Sequence, residues 1–200
     1  MTDISPQTTR QKILNIAGDL FFRYGYRAVG VDTIVKETGM AKRTLYRHFP
    51  SKDDLIVAYL EQVNHLMQAW LDEAATPYEG QPQEQLLAIF VALQKLVKSP
   101  QCYGCAFLMT SVEFPELDSP SHQVALAHKQ SVRSRFKNLA EQAGARTPDS
   151  LADQLLLLMD GAFASVRMFG IINPGISVTE AAKALINAQC NIIPGLIMNK

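Results

Sequence analysis

No apolar run in this sequence approaches the ~18 residues of a membrane-spanning helix. The nearest candidate, around Leu155 to Met159, is broken by Asp160 and Arg167. The opening residues, Met1-Thr-Asp-Ile-Ser, lack the basic start and apolar stretch of an export leader. Cysteine is scarce, with three residues, and without an export signal these fit a reducing cytoplasm. No alternation of apolar and polar residues marks a strand, and no segment repeats. There is no Ser-His-Asp set, no phosphate loop and no pair of metal-ligand motifs. The expectation is therefore a cytoplasmic all-α protein with no catalytic residues, no cofactor, no metal and no membrane partner. A helical enzyme is the remote alternative.

Net charge is also absent, but its distribution is uneven. Across the first 52 residues there are nine Lys or Arg against four Asp or Glu, a balance of +5, and the remainder carries −5. A basic head on an acidic body suggests that only the head meets a polyanion. Apolar residues make up 48% of the chain, which with ordinary charge content excludes a disordered chain.

The most informative stretch runs from Thr33 to Lys52. It reads as a short helix, a turn at Gly39-Met40-Ala41, and a second short helix that stops at Phe49-Pro50. Gly39 suits the reversal because it accepts positive φ. The second helix carries Lys42, Arg43, Thr44, Tyr46, Arg47 and His48, with only Leu45 and Phe49, four apart, turned to a core. A basic helix with one thin apolar stripe, joined by a tight turn to an apolar helix, is a helix-turn-helix unit. In such units the second helix enters the DNA major groove.

From Arg10 to about Leu60 the chain resembles the TetR-type transcriptional regulators. The resemblance rests on Ile13-Leu14, Ala17, Leu20-Phe21 and Gly25-Tyr26. It continues through Ile34, Gly39, Lys42, Thr44-Leu45-Tyr46, His48-Phe49 and Ser51-Lys52. It implies phosphate contacts from Thr44, Tyr46, His48 and Lys52, with one more from Thr33. Lys42, Arg43 and Arg47 fall where the family pattern varies, which makes them the readers of base edges. Arginine bonds bidentately to guanine O6 and N7. Two positions depart from the pattern: Gly30 and Ala41 stand where Ser or Thr would cap a helix. That forfeits a side-chain cap worth ~0.5–2 kcal/mol at the alanine and less at the glycine, and a hydroxyl for phosphate at each.

About nine helices are expected. The first is capped by Thr8 or Thr9, buries Ile13, Ala17, Leu20, Phe21 and Tyr24, and ends at Gly25. A long one begins at Ser51-Lys52-Asp53-Asp54 and reaches about Ala75. Others cover 84–98, burying Leu87, Phe90, Val91 and Leu93 or Leu96, and 104–112. The next covers 121–143 with Val124, Ala127, Val132, Phe136 and Leu139 inside. Two more run from Pro148 to Phe169 and from a cap at Thr179 to about Ile193. The division is a DNA-binding head, residues 1–52, and a ligand-binding and dimerisation body, residues 53–200.

The body has flexible and aromatic side chains, and the resemblance implies that its middle helices enclose an effector cavity. Met67, Trp70, Phe90, Phe107, Met109 and Phe163 are the candidates to line it, for a small and largely apolar molecule. His65, Glu113, His122, His128 and Asp160 could orient a ligand, although each fits a structural role better. Cys102-Tyr103-Gly104-Cys105 could be a redox pair or half of a metal site. Packing of Cys105 at a helix start is the simpler reading, and a regulator triggered by cysteine oxidation is the alternative. The last two helices are rich in small residues and apolar nearly all round, so they need burial on two sides. A twin subunit would cover the second, giving the homodimer that the resemblance implies. The whole reads as a repressor that leaves its DNA operator when a small molecule binds.

Overall fold

The computed structural model describes residues 8–170 and 172–190. Among these are nine α-helices and no strand. They are α1 (Thr9–Tyr24), α2 (Val31–Thr38), α3 (Lys42–His48), α4 (Lys52–Ala75), α5 (Pro82–Val97), α6 (Ala106–Glu113), α7 (Pro120–Gln142), α8 (Pro148–Phe169) and α9 (Val178–Cys190). Single 3₁₀ turns at Thr76–Tyr78 and Pro174–Ser177 precede α5 and α9. None of the helices is long and apolar enough to cross a membrane.

Contacts divide the described chain into two units, one drawn from Met1–Met67 and Ala106–His128, the other from Gln68–Cys105 and Lys129–Lys200. Helices α4 and α7 each contribute residues to both.

In the first unit, the Thr8 side chain accepts the N–H of Gln11 and starts α1. The helix buries Ile13, Leu14, Ala17, Gly18 and Phe21. Gly18 must be glycine because an added Cβ would lie 2.6 Å from the ring of Tyr59. Phe21, Tyr26 and Tyr59 form an aromatic cluster with ring centroids 5.5 to 6.2 Å apart. Tyr24, expected in this core, is 63% exposed. Gly25, at φ +91°, turns the chain just past it, and Tyr26 takes the inward place with no exposure.

In the second unit, α5 packs on α8 and α9, with Leu86, Ile89, Phe90, Leu93 and Val97 buried. The Phe90 and Phe136 rings stack at 5.7 Å. Val91, expected inside, is exposed, as is Ala127 on α7, where Ala125 and His128 are buried instead. Thr179 lies within α9 rather than at its cap, and its hydroxyl donates to the carbonyl of Phe90 at 3.1 Å. The expected end of α9 near Ile193 lies outside the described residues.

Candidate nucleic-acid interface

Helix α3 is seven residues long and holds the densest exposed positive charge of the first unit. It sits there because Leu45 and Phe49 are 1% and 2% exposed, anchoring one side of a short amphipathic helix. The guanidinium of Arg10 lies 4.8 Å from the Phe49 ring centroid, adding a cation–π contact to that anchor. Gly39, in the left-handed conformation at φ 67° and ψ 16°, closes α2 and redirects the chain into α3. As expected, Gly30 and Ala41 occupy the two N-terminal cap positions without a side-chain cap bond. Downstream, Ser51 caps α4: its Oγ accepts the N–H of Asp54 at 3.0 Å and donates to the Asp54 carboxylate at 2.7 Å.

This arrangement leaves Lys42, Arg43, Tyr46 and Arg47 exposed, with Thr33 exposed on α2. Thr44, His48 and Lys52 are half-buried. Burial lowers the Lys52 ammonium from its ordinary range, with Asp53 and Glu113 pulling in the opposite direction. The Nε2 atom of His48 is buried without a hydrogen-bond partner. Lys42 donates to the Asp32 carboxylate at 2.8 Å, and that bond raises its affinity for its proton. No other ion pair among the described residues involves α3.

The expected effector residues separate between the units. Met67, Phe107 and Met109 belong to the first, and Trp70, Phe90 and Phe163 to the second. Phe107 is buried and stacks on His128 at 3.7 Å between centroids. Phe90 and Phe163 are buried in the second unit's core. Trp70 alone of the six lines a cleft in that unit, of about 420 Å³, with Tyr78, Leu87, Val91, Glu73 and Lys95 among its walls.

Four of the five polar residues weighed as ligand orienters have protein partners. Glu113 binds the N–H groups of Tyr26 and Arg27, and His122 Nδ1 lies 2.9 Å from the Phe114 carbonyl. His128 Nδ1 is 2.8 Å from Asn64, and Asp160 accepts from Lys129. The binding of Glu113 across 87 positions was not visible in the sequence, because no local pattern marks so distant a pair.

The three cysteines are free thiols. Burial pushes the Cys102 and Cys190 thiols up in pKa, which leaves them poor nucleophiles. Cys105 is half-buried, with the Lys129 ammonium 3.7 Å from its sulfur.

Residues 13–59 match the model of the tetR family of bacterial regulatory proteins. Over 77 residues the chain is 41% identical to an uncharacterised helix-turn-helix transcriptional regulator of Bacillus subtilis, a match covering 36% of this chain and 40% of that one. A TetR-family transcriptional regulator from Streptomyces coelicolor is similar in structure. Its TM-score is 0.80 at 32% identity, over 90% of this chain and 92% of the other. A regulator of the same type from Streptomyces avermitilis gives 0.79 at 31% identity, over 92% and 98%.

Proposed function

We propose that this chain, which belongs to the TetR family of bacterial regulatory proteins and is a DNA-binding transcriptional regulator, acts as a cytoplasmic homodimeric repressor released from its operator by a small, largely apolar molecule. In this reading residues 1–52 bind DNA, and residues 53–200 bind the effector and the second subunit. The observation that carries it is the exposed cationic face of α3 fixed on the buried Leu45 and Phe49. Lys42, Arg43 and Arg47 read base edges. Thr33, Thr44, Tyr46, His48 and Lys52 hold phosphates and so fix register without reading sequence.

Dimerisation is supported by the exposed side of the last two helices. On α8, Leu157, Gly161, Ala164 and Met168 are all exposed, and their spacing of four, three and four puts them on one stripe. On α9, Ala181, Ala184 and Ala188 form a second exposed stripe. Small residues alternating with Leu and Met let helices approach closely, and a second copy covers them. A two-fold dimer then presents two α3 helices one DNA turn apart, ~34–36 Å. An effector that favours another spacing shifts the population off DNA, provided it binds the two states with different affinity.

The effector reading is supported by the Trp70 cleft, whose size falls in the ~300–1,000 Å³ range of small-molecule sites. A second reading, release by thiol oxidation, is favoured by Cys105, a free thiol that is only half-buried. One experiment separates them. Operator-bound protein is titrated with apolar compounds while Trp70 emission and DNA release are followed, and again with oxidant on the wild type and Cys105→Ser. The ligand reading expects emission change and release together, in both proteins. Release by oxidant alone, abolished in Cys105→Ser, with no apolar compound effective, would establish the second reading instead.

A further inference from the structure

The exposed surface around α3 contains one acid that is paired to a DNA-facing cation. Asp32 lies in the first turn of α2, its side chain 86% exposed, and accepts from Lys42 Nζ at 2.8 Å. Arg43 and Arg47 take part in no ion pair among the described residues, so the pairing singles out Lys42. An exposed pair of this kind is worth little to folding. Its electrostatic consequence lies on the DNA. Binding to any duplex is driven by release of counterions from phosphates, with a slope of about 0.9 in log affinity against log salt for each phosphate neutralised. A carboxylate that holds Lys42 removes one such contact on random DNA and adds a repulsion beside the phosphates. On the operator, where base contacts supply further affinity, Lys42 can leave Asp32 for its base.

We propose that Asp32 is a specificity-determining residue: by holding Lys42 it weakens binding to non-operator DNA more than binding to the operator. The proposal rests on the reading of α3 as the DNA-binding helix. It predicts that specificity is gained by suppressing the wrong complex rather than by strengthening the right one.

The test compares the wild type, Asp32→Asn, Lys42→Ala and the double variant on a selected operator duplex and on a scrambled duplex of equal length, over a range of salt. Asp32→Asn should bind the scrambled duplex roughly five- to tenfold more tightly near 0.1 M salt, with a slope steeper by about 0.9. Operator affinity should rise less, so the ratio between the two falls. In the Lys42→Ala background the same change should have a smaller effect, because only the repulsion is left to lose. Both side chains are exposed, and unchanged melting curves would show the variants folded. The proposal is overturned if Asp32→Asn leaves scrambled-DNA affinity and slope unchanged, or alters preference at a single base pair only. Persistence of the full effect without Lys42 also overturns it. A wild type that binds neither duplex overturns the reading of α3 itself, which is a separate outcome.

Discussion

The carboxylate of Glu113, the last residue of α6, accepts the backbone N–H of Tyr26 at 3.0 Å and that of Arg27 at 2.6 Å. The same turn is held by the Tyr26 hydroxyl, which donates to the carbonyl of Ala106 at 3.0 Å, so both ends of α6 grip one tyrosine. Gly25 leaves room for the carboxylate: an added Cβ would stand 2.8 Å from its oxygen, at a φ of +91° that side chains rarely adopt.

Glu113→Ala removes the acceptor of two backbone N–H groups, one part-buried and one exposed, and should cost about 0.5–1.5 kcal/mol of stability. Glu113→Gln keeps a neutral acceptor and should cost less. Thermal melts of the three proteins check the order, and equal melting temperatures would show that the contact contributes nothing.

Helix α1, the turn at Gly39 and the inward pair Leu45 and Phe49 were legible in the sequence because each depends on neighbours three to five residues away. Tyr24 was misplaced because helical periodicity continues through it, whereas the backbone turn at Gly25 hands its inward position to Tyr26. On α5 and α7 the apolar stripe was read slightly rotated, which exposed Val91 and Ala127 in the fold. Alanine and β-branched residues define a stripe poorly when most of a helix is apolar. The partners of Glu113 and of Lys42 were not legible, since both pairs depend on how helices meet.

On DNA, Arg43→Ala and Tyr46→Phe should behave differently. Loss of the guanidinium should cost ~1–3 kcal/mol and relax preference at one base position in each half-site. Loss of the hydroxyl should weaken all sequences alike. Binding across single-base operator variants at fixed salt distinguishes them, and a changed base preference in Tyr46→Phe would reverse the assignment.

Leu157 is 71% exposed at the start of the α8 stripe, whereas Ala162 is buried in its own subunit. Leu157→Glu should therefore shift the dimer toward monomer while keeping the fold, because a charge buried in the contact goes unpaired. Ala162→Glu should lower the melting temperature whatever the association state. Sedimentation at micromolar concentration reads the first effect, and a dimer mass unchanged in Leu157→Glu would exclude this stripe as the interface.

Arg133 bonds Asp149 and Asp153 at the start of α8, and Lys137 bonds Asp149. The bond to Lys137, then that to Arg133, lowers the Asp149 carboxyl from its ordinary pKa, and the bond to Arg133 lowers that of Asp153. A depressed carboxylate contributes stability that is present above its unfolded value and is lost as pH falls through the folded one. Arg133→Ala should thus melt slightly below the wild type at neutral pH, and the gap should close in acid as pH falls past the ordinary Asp range through the lowered folded values. The effect is small because all these groups are exposed. A gap that widens in acid would contradict the assignment.

Selection of bound duplexes from a random DNA library, done in parallel for the wild type and for Arg43→Ala with Arg47→Ala, tests most directly that α3 of a two-fold dimer reads DNA. The wild type should enrich an inverted repeat whose half-sites lie about one helical turn apart, and the variant should lose that enrichment while retaining its dimer mass and fold. An enriched sequence with no two-fold symmetry, or one that the variant enriches equally well, would contradict it.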